Sequence, residues 1–227
     1  GGPVRRERVP ILGVGLDYLT FAEATERALG LIRRAPEEGQ ALLIFTPNPE
    51  ILAQAAAQPA FQATLNSADL TVADGVGVIW ASRVLGRPLP GRVSGFDLLV
   101  ALLGRAGEVW GEGRPLRLFL LGGRPGVAEE AAERIVASYP GVEIAGVHHG
   151  YFTDDSTALE AVRRARPDLL AVGLGSPKQE DWLVANRSAL AGLVAIGVGG
   201  SFDILSGRSR RAPAWLRSAN LEWLYRI

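Results

Sequence analysis

The chain has 227 residues, with 24 basic and 24 acidic side chains, and contains neither cysteine nor methionine. An apolar share of 48% is enough to bury a sizeable core, and zero formal net charge argues against a dedicated nucleic-acid binder. The missing cysteines exclude a disulfide scaffold, a thiolate metal site and a cysteine nucleophile, and with both histidines in the pair His148-His149 a multi-histidine metal cage is not expected.

Apolar runs and amphipathic stretches alternate along the chain. The first strand is expected at Pro10–Val14, followed by the capping box Thr20-Phe21-Ala22-Glu23 opening a helix that ends near Arg34. A strand at Ala41–Phe45 leads to a helix over Glu50–Gln58 with Pro49 as its first residue. Next come a strand at Leu70–Ala73, a helix over Val76–Leu85 and a glycine- and proline-rich loop from Leu85 to Ser94. Helical spacing covers Phe96–Trp110, Pro125–Ser138, Thr157–Ala165 and Gln179–Leu190, interleaved with strands at Leu116–Leu121, Val142–Val147, Leu169–Leu174 and Leu193–Val198. A last helix is expected at roughly Pro213–Tyr225. The strands are short and continuously apolar, as in parallel sheets covered on both faces. The expectation is a single Rossmann-like α/β domain over 1–227, doubly wound, with helices on both faces of a mainly parallel sheet. No run approaches the roughly 18–20 apolar residues of a bilayer helix, and no secretory signal pattern is present.

Ligands of such folds bind at the carboxyl ends of the strands, so the residues there carry the functional reading. They are Thr46-Pro47-Asn48-Pro49, Asp74-Gly75, Gly122-Gly123, His148-His149, the run from Gly175 to Glu180, and Gly199-Gly200-Ser201-Phe202-Asp203. Glycines at strand ends admit a ligand to the backbone, and amides at helix starts attract phosphate, which points to a nucleotide or diphosphate. A P-loop motif and a complete dinucleotide fingerprint are both missing. Asp74 lies between an apolar strand and an apolar helix start. Desolvation there would raise its pKa and suit it to accept a proton, but an aspartate at that place also suits a helix cap. Asn48 has the same two readings, cap or sugar-hydroxyl reader. Arg92 is either a solvated loop charge or, if its loop folds over the crevice, a partner for a diphosphate.

Several ordered motifs then carry a resemblance. They are T-P-N-P-E (46–50), L-N-S-A-D-L (65–70), D-G-V-G-V-I-W-A-S (74–82), G-R-P-L-P-G-R-V-S-G-F-D-L (86–98), F-L-L-G-G (119–123), G-Y-F (150–152), G-L-G-S-P-K-Q-E (173–180) and G-V-G-G-S-F-D-I-L-S-G (197–207). With R-A-P-A-W-L (211–216) and L-E-W-L-Y-R (221–226), the chain resembles the WecG/TagA/CpsF glycosyltransferase family from about Val14 to Ile227. The resemblance implies transfer of a sugar from a UDP-sugar to an undecaprenyl-diphosphate-linked sugar at the cytoplasmic membrane face, with inversion and without a metal or other cofactor. The branch it is most similar to adds N-acetylmannosamine to N-acetylglucosaminyl-diphospho-undecaprenol in wall teichoic acid synthesis. Carried over residue by residue, it implies Asp74 as general base, with Thr46, Asn48, Arg92 and Gln179 binding substrate. Asp203 matches a nucleotide-side aspartate, and Gly122, Gly123, Gly199 and Gly200 supply backbone donors to the nucleotide.

An inverting transfer needs one base for the attacking hydroxyl and donors for the leaving diphosphate. No Asp-x-Asp metal motif occurs, so arginine, amide and backbone donors must serve. Family members usually continue past L-E-W-L-Y-R into a basic tail, so the resemblance implies a membrane-contacting tail cut away after 227. Arg208, Arg210, Arg211, Arg217 and Arg226 against Glu222 already lean basic, which fits either a solvated face or attraction to a membrane surface. Apolar residues of the last helix leave three partners open: the core, a second subunit in a homo-oligomer, or lipid. Competing functions are transfer from another UDP-sugar (hexose or hexuronic acid), a non-catalytic UDP-sugar-binding protein, and a nicotinamide dehydrogenase.

Overall fold

The computed structural model describes residues 6–208. The expected helix at Pro213–Tyr225, with Arg210, Arg211, Arg217 and Arg226, lies outside them. Eight strands and ten α-helices are found among the described residues. In chain order they are β1 (Arg8–Ile11), β2 (Val14–Asp17), α1 (Phe21–Arg34), β3 (Leu42–Phe45), α2 (Pro49–Ala57), α3 (Pro59–Asn66), β4 (Leu70–Thr71), α4 (Val76–Val84), α5 (Gly95–Gly104), α6 (Gly107–Trp110), β5 (Leu116–Gly122), α7 (Val127–Ser138), β6 (Val142–His148), α8 (Asp155–Ala165), β7 (Leu169–Gly173), α9 (Lys178–Ala185), β8 (Val194–Gly197) and α10 (Ser201–Leu205).

Six strands form one sheet in the order β4-β3-β8-β7-β5-β6, and every pairing in it is parallel. Each strand is a short apolar run whose alternate side chains feed two separate cores. Leu42, Ile44, Leu118, Leu120, Ala171 and Ile196 pack against α1, α5, α7 and α10 on one face. Leu43, Phe45, Phe119, Leu121, Leu170 and Ala195 pack against β1, β2, α2, α3, α8 and α9 on the other. This double covering is the reason the strands read as continuous rather than alternating, and it is the doubly wound α/β class expected.

The amino-terminal strand differs from expectation. Pro10–Val14 is not one strand of the main sheet but the turn of an antiparallel hairpin, β1 with β2. Leu12 and Gly13 both take positive φ, 49° and 81°, the two-residue geometry that matches the twist of a hairpin. Leucine at a positive φ is uncommon, which hid the turn. The hairpin seals the edge of β4. The Thr71 amide donates to Asp17 Oδ2 at 2.8 Å, and Arg6 grips the same carboxylate through Nε and Nη2 at 2.9 and 2.7 Å. An exposed strand edge is thereby blocked. Asp17→Ala would leave the Arg6 charge and the Thr71 donor without their partner; an expected loss of about 3 kcal/mol is checked by the shift in urea midpoint.

Other differences lie at boundaries. The capping box forms as expected, with Glu23 N donating to Thr20 Oγ1 and Thr20 N to Glu23 Oε1, both at 3.2 Å. The stretch Phe96–Trp110 divides into α5 and α6 between Gly104 and Gly107, residues with poor helix propensity. Gln179–Leu190 stops at Ala185, where the Asn186 side chain donates back to Trp182 O at 2.9 Å. Helices α3 and α10 were not expected; α3 starts on Pro59 at its first turn, a start signal within a stretch that otherwise read as a connection.

Candidate active site

Strands β3 and β8 are neighbours, and the chain leaves them toward opposite faces. Helix α2 packs into the core on the hairpin side, and α10 into the core beside α7. Such divergence opens a crevice at the carboxyl ends. A cleft of about 480 Å³ lies there, bordered by Thr46, Asn48, Asp74, Ser94, Gln179 and Gly199 among others.

Three chain segments are laced together by backbone bonds to form one wall. Asp74 N donates to Pro47 O at 3.0 Å, and Val93 N donates to Ala73 O at 2.6 Å. The loops carrying Thr46-Asn48, Asp74 and Arg92 thus lie side by side. Gly95 is admitted because a Cβ there would sit 2.7 Å from Thr46 Oγ1 and 3.0 Å from Gly197 O. Asn48 caps α2, its Oδ1 accepting from Ile51 N at 2.9 Å, and it also lines the cleft. The cap reading of Asn48 is thus observed, and its place on the cleft wall keeps the sugar-hydroxyl reading available.

Asp74 is not a helix cap. Gly75 is the N-cap of α4, at φ 93°, and no side chain caps that helix. Burial pushes the Asp74 carboxyl up to about 6; Arg92 pulls it down and Asp97 pushes it up. Asp97, on the first turn of α5, was missed from the sequence. Its amide donates to Ser94 Oγ at 3.0 Å, so S-G-F-D reads as a capping pattern and conceals a second carboxyl. Burial also raises the pKa of Asp97, against the pull of Ser94 and Arg92, and its Oδ1 is buried without a hydrogen-bond partner. Both carboxyls thus feel the charge of the same Arg92 guanidinium.

The facing wall comes from β7, α9 and β8. Gln179 is buried, and its amide is engaged within the protein. Its Oε1 accepts from Gly199 N at 3.2 Å, and its Nε2 donates to Glu180 Oε1 at 3.2 Å. Ser176 Oγ donates to the same Glu180 oxygen at 2.5 Å. Glu180 and Ser176 were not singled out from the sequence, and both border the cleft. The chain Ser176–Glu180–Gln179–Gly199 holds the glycine loop after β8 against α9. Gly197 is glycine for the same reason, since a Cβ would meet Gln179 Nε2 at 2.8 Å.

The remaining expected residues divide between the cleft and other parts of the rim. Gly199 and Gly200 border the cleft, whereas Arg92, Gly122, Gly123 and Asp203 are not among its lining residues; Arg92 acts on it through its charge on Asp74. Gly122 and Gly123 end β5 beyond β7; a Cβ on Gly122 would collide with the Gly173 carbonyl, so strand packing accounts for this glycine. Asp203 lies half-buried on α10. His148 ends β6 and His149 follows it, with His148 Nδ1 meeting His149 O at 2.7 Å. Among the described residues, no group of three or more His, Asp or Glu side chains converges as metal ligands.

A partly desolvated carboxyl in the field of a guanidinium, lining a cleft at the carboxyl ends of a parallel sheet, is a site of the kind α/β enzymes carry. The match to known proteins makes this specific: residues 9–227 fit the model of the "Glycosyl transferase WecG/TagA/CpsF family". The chain belongs to that family of glycosyltransferases. It is 37% identical over 191 residues to the N-acetylglucosaminyldiphosphoundecaprenol N-acetyl-beta-D-mannosaminyltransferase of Bacillus spizizenii, covering 84% of this chain and 72% of the relative. It is 36% identical over 220 residues to the enzyme of the same name in Staphylococcus aureus, covering 96% of this chain and 84% of the relative.

Proposed function

We propose that the protein transfers N-acetylmannosamine from its UDP conjugate to N-acetylglucosaminyl-diphospho-undecaprenol, inverting the anomeric carbon and using no metal. The names of the two relatives support donor sugar and acceptor. The observation that carries the mechanism is the half-buried Asp74 carboxyl in the cleft, raised to about 6 by desolvation and pulled back by Arg92. As the acceptor hydroxyl attacks the anomeric carbon, its proton passes to Asp74 and the bond to the UDP oxygen breaks. One base and a single displacement give inversion.

Negative charge then grows on the leaving diphosphate. Arg92 and the amide of Gly200 are the donors this chain offers it; the Gly199 amide is already held by Gln179. Thr46 and the Nδ2 of Asn48 orient sugar hydroxyls. Among the described residues no helix is long and apolar enough to cross a membrane; the lipid-linked acceptor in the relatives' names supports a peripheral place on the cytoplasmic membrane face in this reading. The basic residues near the carboxyl terminus contribute there, although Arg208 is paired with Glu130 at 2.8 and 2.7 Å.

The test is incubation with a panel of UDP-sugars and a short-chain lipid-diphosphate acceptor in the presence of a chelator, with product read by mass and anomeric configuration by NMR. Transfer only from another UDP-sugar, or none without added metal, overturns the corresponding part. The pH profile gives a second check. Asp74 works deprotonated, so kcat/KM should be level above its pKa and fall about tenfold per pH unit below it, with a midpoint near the folded value of about 6. A midpoint at an ordinary carboxylate value near 4 would show that the group titrating in the reaction is not a desolvated carboxyl.

A further inference from the structure

Helix α4 begins two residues after Asp74 and presents an apolar stripe to solvent. Val76, Trp80 and Val84 recur every four residues and are 68%, 67% and 65% exposed, and Leu85 beyond them is 60% exposed. Its opposite face is seated by Val78 and Ser82. Ser82 Oγ accepts from Leu89 N at 3.0 Å, which folds the following loop back beside the helix. A tryptophan and three aliphatic side chains in one exposed group are unusual for a surface that stays in water.

Charge selects what covers it. From Gly75 to Phe96 the chain contains Arg83, Arg87 and Arg92 and no acidic residue. Arg83 and Arg87 are exposed beside the stripe. Tryptophan with aliphatic residues and flanking arginines is the chemistry of a segment lying in the interface of an anionic bilayer. A second copy docking through the same face would set Arg83 and Arg87 against their own equivalents. The chain's own carboxyl-terminal segment is basic as well, with Arg210, Arg211, Arg217 and Arg226 against Glu222, so its charge does not complement these arginines.

We propose that the Val76–Trp80–Val84–Leu85 face of α4, with Arg83 and Arg87, docks onto the anionic membrane surface and sets the cleft at the level of the lipid headgroups. This rests on the proposed lipid-linked acceptor. The segment that docks starts at the base and returns to Arg92, tied back by the Val93–Ala73 bond of 2.6 Å. With the acceptor's diphosphate at headgroup level, the hydroxyl of its sugar therefore reaches Asp74 without the polyprenyl chain leaving the bilayer.

The natural absence of cysteine allows a positional test on the full chain. V84C carrying a polarity-sensitive dye is expected to shift to the blue on equimolar phosphatidylglycerol–phosphatidylcholine vesicles, and E133C, exposed on α7, to stay unchanged. In flotation assays R83Q/R87Q should lower partitioning onto those vesicles about fivefold per arginine, and W80S/V84S should lower it at least as much. Both variants should keep the wild-type melting midpoint and wild-type transfer to a water-soluble short-chain acceptor. Unchanged flotation of the variants, no binding of the wild type to anionic vesicles, or a dimer in light scattering that W80S/V84S abolishes would each overturn the docking proposal. Failure of the wild type to glycosylate the soluble acceptor would instead overturn the catalytic reading, whatever the vesicles show.

Discussion

Asp74→Asn is expected to lower the rate of sugar transfer about 1,000-fold and to leave UDP affinity within about twofold. Asparagine has the same shape, so the bond from Asp74 N to Pro47 O and the wall it supports persist. What is lost is the ability to hold a proton. Measuring product formation by mass and UDP binding by calorimetry separates the two effects. A variant that retains wild-type turnover shows that another group takes the proton, and Asp97 is the candidate, since it shares the Arg92 field.

Arg92→Gln should have the second largest effect, a fall in kcat/KM of about 100-fold at neutral pH. Two causes act in the same direction. One donor for the leaving diphosphate is removed. In addition, Arg92 is the charge that lowers the pKa of both Asp74 and Asp97. Without it the Asp74 pKa rises above about 6, so less of the enzyme carries the deprotonated base at neutral pH and the acid limb of the profile moves to higher pH. Arg92→Lys should restore much of that midpoint, because it returns the charge, but less of the rate, because a lysine lacks the planar fork. A pH–rate series on the three proteins checks this; an unmoved midpoint in Arg92→Gln would show that Arg92 does not act on the base.

Much of the site was legible because the fold fixes where ligands bind. Once strands were placed at Ala41–Phe45, Leu70–Ala73 and Leu193–Val198, the residues after them had to meet at one rim, and Thr46, Asn48, Asp74 and Gly199 do border one cleft. The strands were legible because both faces of the sheet are covered, which leaves an uninterrupted apolar signature. The hairpin was not, since its turn uses a leucine at positive φ in place of a turn-forming residue. Asp97 and Glu180 were passed over for a related reason. Each sits in a helical first turn, where acidic residues are common for helix stability alone, so local sequence offers nothing to separate a buried carboxyl from an ordinary one.

Linear order, apolar period and residue type thus determined the α/β class, the rim and the chemistry available at it, because these follow from local rules of strand burial and strand-end geometry. Tertiary structure decided how each polar group is used. Asp74 is left out of the α4 cap and partly desolvated, Asn48 caps α2 at the edge of the cleft, and Gln179 is turned onto the Gly199 amide. Desolvation and hydrogen-bond partnership depend on residues distant in the chain, such as Arg92 beside Asp74, and no neighbouring letter of the sequence encodes them.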